Sequence, residues 1–196
     1  MIKVDDYEIL SKNISTLKET SRDYHDEVDH YMTDSLLPAV DFDKVKDEYI
    51  SKLSISDKPK SNDTLFIDSE GKEIFIEFKN GFIENKKFEL RKKIYDSLLI
   101  YTDIIHEGIS YTRQHVDYIL VYNEEKNRTD KQESKTHIQN SKSRDRIAKG
   151  FSKLGGTNYI KFGLEIFKGY CFREVNTYTE GEFKEFLNNQ NRTGLL

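Results

Sequence analysis

Three charged residues in the first half of the chain have the types and spacing that phosphodiester hydrolysis requires. Asp63 precedes a short apolar run, thirteen residues separate it from Glu77, and Lys79 follows two positions later. Because alternate side chains of a strand share a face, Phe75, Glu77 and Lys79 are expected on one face of a strand over 73–79. The pattern predicts two carboxylates with an ammonium group beside them.

The turn between the two apolar runs determines which residues face each other. Ser69-Glu70-Gly71 fits a three-residue hairpin loop, in which glycine commonly takes the last, left-handed position. If Asp68 faces Lys72, counting back along the ladder places Asp63 opposite Glu77, with Cβ atoms about 5 Å apart. Carboxylates at that distance repel each other unless one binds a proton or a cation bridges them. Oxygen ligands without a nearby imidazole or thiolate suit Mg²⁺ or Mn²⁺.

At these positions the sequence resembles the PD-(D/E)XK nuclease superfamily, whose pattern is an Asp on one strand, a short spacer and Glu-x-Lys on the next. The resemblance implies that Asp63 and Glu77 hold the metal, that the carbonyl of Phe78 is a further ligand, and that Lys79 is the catalytic lysine. It implies a Mg²⁺- or Mn²⁺-dependent endonuclease, acting on DNA in preference to RNA, and it leaves a homodimer open. Asn62 stands where the family pattern often has proline.

Several members of that superfamily also use an acidic residue from the leading helix. Glu48 is the candidate here, and a solvated helix charge is the alternative for it. The Glu-x-Lys pair itself has an alternative, since such pairs are common on exposed strand edges. The presence of Phe75 on the same face favours a buried site over an exposed edge.

Basic residues follow the second strand and recur later in the chain. The stretch 86–93 holds five basic residues and one acidic residue, and residues 126–149 hold eight Lys or Arg against three Asp or Glu. Cations early in a helix oppose its dipole, and contact with phosphate is one explanation for them. The expected nucleic-acid-binding residues are Lys86, Lys87, Arg91, Lys92, Lys93, Arg144 and Arg146. A lysine-rich solvated surface is the alternative.

The beginning of the chain has the opposite charge. Residues 1–48 carry 13 Asp or Glu against 6 Lys or Arg, a composition that suits a basic protein partner better than DNA. This supports a second hypothesis, in which the nuclease fold is kept but is catalytically silent. Such a protein would be an interaction module: an inhibitor, an immunity partner of a toxin, or a subunit of a defence complex.

The composition limits the class of protein. A chain of 196 residues can form one domain with a core, and its 12 Tyr and 12 Phe argue against disorder. Cys171 is the only cysteine, which excludes an intramolecular disulfide and a thiolate zinc cluster. The start of the chain does not resemble a signal peptide, and no apolar run approaches the roughly 20 residues that span a membrane. A cytoplasmic protein without membrane contact is therefore expected.

The predicted fold class is α/β, with a restriction-endonuclease-like core of a mixed central sheet flanked by helices in one domain over 1–196. Residues 1–40 are expected to form an N-terminal helical extension, with a helix over 15–37. The motif-bearing core spans 41–122, and its expected elements are a helix over 42–53, strands over 64–68 and 73–79, a helix over 87–106 and a strand over 116–122.

The last third of the chain has two expected segments. Residues 123–157 are predicted to be a basic loop and helix, with the helix over 141–154. Residues 158–196 are predicted to be a hairpin that turns at Lys168-Gly169, followed by a short helix. Thr179 and Glu182 have the spacing of a capping box at the start of that helix.

Overall fold

The computed structural model describes residues 2–25, 28–128 and 159–193. Within these ranges, eight strands form a six-stranded sheet and a separate hairpin. The strands are β1 (Ile14–Thr16), β2 (Arg22–His25), β3 (Val28–Tyr31), β4 (Pro38–Asp41), β5 (Thr64–Ile67), β6 (Glu73–Lys79), β7 (Val116–Tyr122) and β8 (Val175–Thr179). The helices are α1 (Glu8–Ser11), α2 (Leu17–Thr20), α3 (Phe42–Ser51), α4 (Lys87–Ile104), α5 (Ile109–His115) and α6 (Glu180–Thr193).

The large sheet is mixed, with the strand order β1-β4-β5-β6-β7-β8. The pairs β1–β4, β4–β5 and β5–β6 are antiparallel, whereas the pairs β6–β7 and β7–β8 are parallel. A parallel pair needs a long crossover connection, and α4 and α5 supply it between β6 and β7. The chain therefore has the predicted α/β fold class, a mixed sheet flanked by helices.

Both faces of the central strands are buried, because helices cover the sheet on each side. On one face, Phe75 of β6 and Leu120 of β7 belong to a core cluster that includes residues of α3 and α4. On the other face, Ile76 belongs to a second cluster, with Phe183 and Leu187 of α6. Interior strands covered on both faces have near-continuous apolar sequences, as β6 and β7 do except for their charged positions.

The hairpin of β5 and β6 has the predicted register. Thr64 pairs with Ile76, and the Asp68 N–H donates to the Lys72 carbonyl at 3.0 Å. Gly71 has a φ of +79°, the left-handed conformation that glycine adopts without steric cost. Asp68 Oδ1 also accepts hydrogen bonds from the backbone N–H groups of Glu70 and Lys72, at 2.9 and 2.8 Å, which stabilises the turn.

The predicted N-terminal helix over 15–37 is wrong. Among the described residues of that range, α2 is the only helix, and the other regular structure is β1 and the hairpin of β2 with β3. The reason is tertiary pairing: β1 pairs with β4, and the Leu17 and Lys18 N–H groups donate to the carbonyls of Leu37 and Ser35. Thr16 accepts a hydrogen bond from the Glu19 N–H and thereby caps α2.

The predicted C-terminal hairpin is also wrong. Residues Glu165–Phe167 form a single 3-10 turn, and β8 pairs in parallel with β7 instead of turning back on the preceding segment. Leu164, Phe167, Cys171 and Phe172 all enter the core, and their spacing is that of a compact turn, without the alternation of a strand.

The remaining predicted elements within the described ranges are confirmed. The expected helices over 42–53 and 87–106 are α3 and α4, and the expected strand over 116–122 is β7. The capping box is present at the start of α6, with Glu182 N–H donating to Thr179 Oγ1 at 3.2 Å and Thr179 N–H donating to Glu182 Oε2 at 2.7 Å. The helix predicted over 141–154 lies outside the described residues. In the part of the chain that the structure describes, no helix is both long and apolar enough to cross a membrane.

Candidate functional site

Asp63 and Glu77 meet at the edge where β5 begins and β6 ends. Asp63 directly precedes β5, so extending the ladder from the pair of Thr64 with Ile76 places it opposite Glu77. Lys93 Nζ lies 2.9 Å from Asp63 Oδ1 and 2.7 Å from Glu77 Oε1. The structure therefore brings the two predicted carboxylates within hydrogen-bonding distance of a single nitrogen atom.

Glu77 is a charged group in the interior of the sheet. Its side chain has no exposed surface, and Lys79 Nζ lies 2.7 Å from its Oε1. Its Oε2 is buried and has no hydrogen-bond partner within the described ranges. Burial raises the pKa of the Glu77 carboxyl and the charge of Asp63 adds to this increase, whereas the ammonium groups of Lys93 and Lys79 oppose it.

Asp63 is held by the backbone around it. Its Oδ2 accepts a hydrogen bond from the Phe78 N–H at 2.7 Å, so the carboxylate extends the contact of β5 with β6 beyond the last paired residue. Its own carbonyl accepts from the Phe42 N–H at 3.1 Å, at the start of α3. The preceding Asn62 N–H donates to Ser97 Oγ of α4 at 2.7 Å. Two helices and a strand therefore fix the position of this carboxylate.

Lys79 is on the open side of the site. About 20% of its side chain is exposed, and its ammonium group pairs with Glu77. The structure therefore places the three predicted catalytic residues together. The Phe78 carbonyl lies in the strand between Glu77 and Lys79, and its role as a ligand stays a prediction.

Lys93 lies between the two carboxylates, which differs from its predicted location. It was expected on a nucleic-acid-binding surface, but only 12% of its side chain is exposed and its ammonium group lies between the two carboxylates. Burial alone lowers the pKa of an ammonium group, but Glu77 and Asp63 outweigh that effect and the pKa of Lys93 is raised. One sequence signal points to it: Lys93 shares a helix face with the buried Leu90 and Ser97.

The leading-helix carboxylate is a second difference from the expectation. Glu48 accepts a hydrogen bond from Asn13 Nδ2 at 3.0 Å and is not brought to the carboxylate pair. The acidic residue of α3 whose charge interacts with Asp63 and Lys93 is instead Asp43, which precedes Glu48 by five positions on a helix whose geometry puts the two on different faces.

Asp43 is a partly exposed acidic residue within range of the charges of Asp63 and Lys93. It accepts a hydrogen bond from the Ser61 hydroxyl, and 54% of its side chain is exposed. Loss of hydration raises the pKa of the Asp43 carboxyl, the Ser61 hydrogen bond opposes this increase, and the charge of Asp63 adds to it.

The other expected nucleic-acid-binding residues lie near the start of α4 or outside the described residues. Lys87 Nζ pairs with Glu84 at 2.6 Å, and Lys92 Nζ pairs with Asp96 at 2.6 Å. Lys86 is exposed, and Arg91 is half-buried with its Nη2 donating to the Gly163 carbonyl at 3.4 Å.

Arg144 and Arg146 lie outside the described residues. Binding of nucleic acid by all of these residues stays a prediction.

Tyr118 adds a buried hydroxyl beside the carboxylates. It lies on β7, paired with Phe75, and its hydroxyl has no hydrogen-bond partner within the described part of the chain. Burial raises the pKa of Tyr118, and the charges of Glu77 and Asp63 add to this increase. This hydroxyl and Glu77 Oε2 therefore lie on the same face of the sheet, each without a hydrogen-bond partner in the described residues.

The donor set fits a hard divalent cation. Two carboxylates and a backbone carbonyl are ligand types that Mg²⁺ and Mn²⁺ prefer, and an ammonium group already lies between the carboxylates. Over the described ranges, no group of three or more His, Cys, Asp or Glu side chains is placed to hold a metal ion. A cation here would depend on two carboxylates together with backbone, water or substrate oxygens.

Comparison with known proteins finds no match to this chain: no family model, no curated protein and no solved structure is detectably similar to it.

Proposed function

We propose that this chain is a Mg²⁺- or Mn²⁺-dependent endonuclease of PD-(D/E)XK type that acts on DNA, with Asp63, Glu77 and Lys79 as its active site. One observation carries the proposal. A buried carboxylate on β6 and a second carboxylate before β5 meet at a single cationic group, and Lys79 contacts the buried carboxylate from the exposed side. Buried charged groups of this kind cluster at functional sites.

The strand topology supports the same proposal. The resemblance implies the order helix, three strands, helix, strand. Strands β4, β5 and β6 form an antiparallel series, α4 and α5 cross over, and β7 lies parallel to β6. In this comparison β4 is the strand that the sequence pattern did not reveal, and α3 is inserted between β4 and β5.

Each residue has a distinct part in the proposed reaction. Asp63 and Glu77 would hold the metal, together with the Phe78 carbonyl. When bound, the divalent cation supplies an activated water and screens negative charge on the phosphate. Lys79 is placed to donate hydrogen bonds to the attacking water or to a phosphate oxygen. Asp43 adds a partly exposed acceptor within range of the Asp63 charge, where it can orient water.

The surroundings extend the proposal to substrate and compartment. Lys86, Lys87, Arg91 and Lys92 lie at the start of α4, the helix that also carries Lys93, and would contact the phosphates of DNA. We propose a cytoplasmic location, since Cys171 is the only cysteine in the sequence, which excludes an intramolecular disulfide. A homodimer would allow cleavage of both strands.

The test is cleavage of supercoiled plasmid, single-stranded DNA and matched RNA with Mg²⁺ or Mn²⁺. Asp63→Ala, Glu77→Ala and Lys79→Ala are each expected to lower the cleavage rate at least about 100-fold, because the first two remove a proposed metal ligand and the third removes a cation beside the developing negative charge. Lys72→Ala is the matched control: it breaks the exposed pair of Lys72 with Glu70 in the loop of the same hairpin and should cleave like the wild type. Equal cleavage by the wild type and the three site variants contradicts the proposal.

A second candidate function follows from the position of Lys93. Its ammonium group already compensates the carboxylate pair, as expected of a site that no longer binds metal. With the acidic composition of residues 1–48, this favours an interaction module with a basic protein partner. Calorimetric titration with Mn²⁺ separates the two candidates. Binding that disappears in Glu77→Gln favours the nuclease, and no binding favours the module.

A further inference from the structure

Lys93 forms the bridge that a metal would be expected to form. Its ammonium nitrogen contacts one oxygen of each carboxylate, Asp63 Oδ1 and Glu77 Oε1. Asp63 Oδ2 is occupied by the Phe78 N–H. Glu77 Oε2 is the one carboxylate oxygen of the pair without a partner in the described part of the chain. Both oxygens of Asp63 and Oε1 of Glu77 therefore already have partners, and a cation that bridged the two carboxylates would meet the Lys93 ammonium group.

The charge of the cluster leads to the same conclusion. Two carboxylates, Asp63 and Glu77, face two ammonium groups, Lys79 and Lys93. A divalent cation added to this set would bring four positive charges against two negative ones. Like charges at contact distance repel strongly where water is excluded, and Glu77 has no exposed surface. Metal binding requires that one ammonium group leave.

We propose that Lys93 is the resident cation of this site and that a divalent metal bridges Asp63 and Glu77 only by displacing it. This inference rests on the proposed metal-dependent function. Lys93 is the group that leaves, because it contacts both carboxylates, whereas Lys79 contacts Glu77 alone. Lys93 thus sets the metal affinity of the free protein.

The displaced ammonium group has a partner nearby. Lysine has a long, flexible side chain, so its nitrogen can move several ångströms while the helix stays in place. Asp43 lies close enough for the charge of Lys93 to act on it, and about half of its side chain is exposed. A phosphate group of bound nucleic acid would be a second partner, so metal and substrate would each favour binding of the other.

The test is calorimetric titration of Mn²⁺ alone into the full chain, comparing the wild type with Lys93→Met. Lys93→Met keeps the length of the side chain and removes its charge, and its affinity for Mn²⁺ should rise by a factor on the order of ten. Adding Glu77→Gln to Lys93→Met should abolish that binding. Lys44→Met is the matched control, since it removes the same charge from an exposed lysine of α3 that pairs with Asp41 of β4, and it should bind like the wild type.

The outcomes separate this inference from the proposed function. Tighter binding by Lys93→Met supports displacement. Wild-type binding that Lys93→Met leaves unchanged or weakens overturns displacement while the metal site stands. No binding by either protein overturns both.

A measurement on the wild type covers the case in which Lys93→Met does not fold. In a crystal soaked with Mn²⁺, anomalous scattering should locate the metal between Asp63 and Glu77, with Lys93 Nζ moved away from both carboxylates. A metal seated there while Lys93 still contacts both carboxylates overturns displacement. No metal at that position overturns displacement and the metal site alike.

Discussion

Strand β6 carries two buried carboxylates on the same face, Glu73 near its start and Glu77 near its end. The two carboxylates differ in the kind of hydrogen-bond donors that they contact. Glu73 accepts hydrogen bonds from three uncharged donors: the Ile2 N–H at 2.9 Å, the Tyr101 hydroxyl at 2.7 Å and the Tyr111 hydroxyl at 2.5 Å. Both of its oxygens have partners. Glu77 contacts two ammonium groups through one oxygen, and its second oxygen has no partner in the described part of the chain.

The difference separates a carboxylate with a complete set of hydrogen bonds from one that the proposed function would use as a metal ligand. Folded proteins provide hydrogen-bond partners for nearly all buried polar groups, and the exceptions require an explanation. At the Glu73 end, the donors connect the beginning of the chain, α4 and α5 to the sheet, and no charged partner is involved. At the Glu77 end the partners are two lysine ammonium groups, and one carboxylate oxygen has no partner in the described residues. Comparing variants at the two ends tests this distinction.

The largest expected effect on stability is at the Glu73 end. Glu73→Ala leaves one buried donor, Tyr101, and two half-buried donors, the Ile2 N–H and Tyr111, without an acceptor, and each such donor costs about 1–3 kcal/mol. The free energy of unfolding, measured by urea denaturation, should fall by roughly 4 kcal/mol. Glu73→Gln keeps one acceptor oxygen and should lose less. A loss below about 1 kcal/mol in Glu73→Ala would mean that this end of the strand is not a closed structural network.

A smaller effect is expected from pH. Burial raises the pKa of Tyr101, and the charge of Glu73 adds to this increase, so above about pH 10 the unfolded chain loses the Tyr101 proton while the folded chain keeps it. Proton release by the unfolded state favours unfolding, and stability should fall by about 1.4 kcal/mol per pH unit from this residue. The slope for Tyr101→Phe should be shallower by that amount. Identical slopes in the two proteins would contradict the prediction.

The smallest expected effect is at the half-buried Tyr111. Tyr111→Phe removes one donor but leaves Glu73 with the Ile2 N–H and the Tyr101 hydroxyl, so the loss should be about 1 kcal/mol. Thermal unfolding monitored by circular dichroism measures it. Binding of Mn²⁺ should stay unchanged, because Glu73 and Glu77 lie at opposite ends of the strand. A change in metal affinity would show that the two ends are coupled.

What could be predicted from the sequence was local. The loop Ser69-Glu70-Gly71 and the alternation along β6 were sufficient to place Asp63 opposite Glu77, because a short hairpin fixes its own register. The capping box of Thr179 and Glu182 was recognisable for the same reason, since both of its hydrogen bonds lie within one helical turn.

The features that the sequence did not reveal depend on distant parts of the chain. Lys93 reaches the site only because α4 packs on the sheet with that face inward, which the basic stretch 86–93 does not indicate. Residues 14–16 form strand β1 because their backbone pairs with that of β4. Strand β8 pairs with β7, from which a long connection separates it in the sequence. Tertiary contacts of this kind override local propensity.

The fixed register of the β5–β6 hairpin limits which insertions and deletions the chain can accept. β5 is also paired with β4, and β6 with β7, so neither strand can slide to absorb an added residue. A shift by one residue would turn Glu77 and Lys79 to the opposite face, where Phe183 and Leu187 pack. Substitutions in the loop 69–71 can preserve the site. An insertion or deletion in this loop preserves it only if a bulge outside the β5–β6 ladder absorbs the change in length. Otherwise Asp63 and Glu77 no longer face each other.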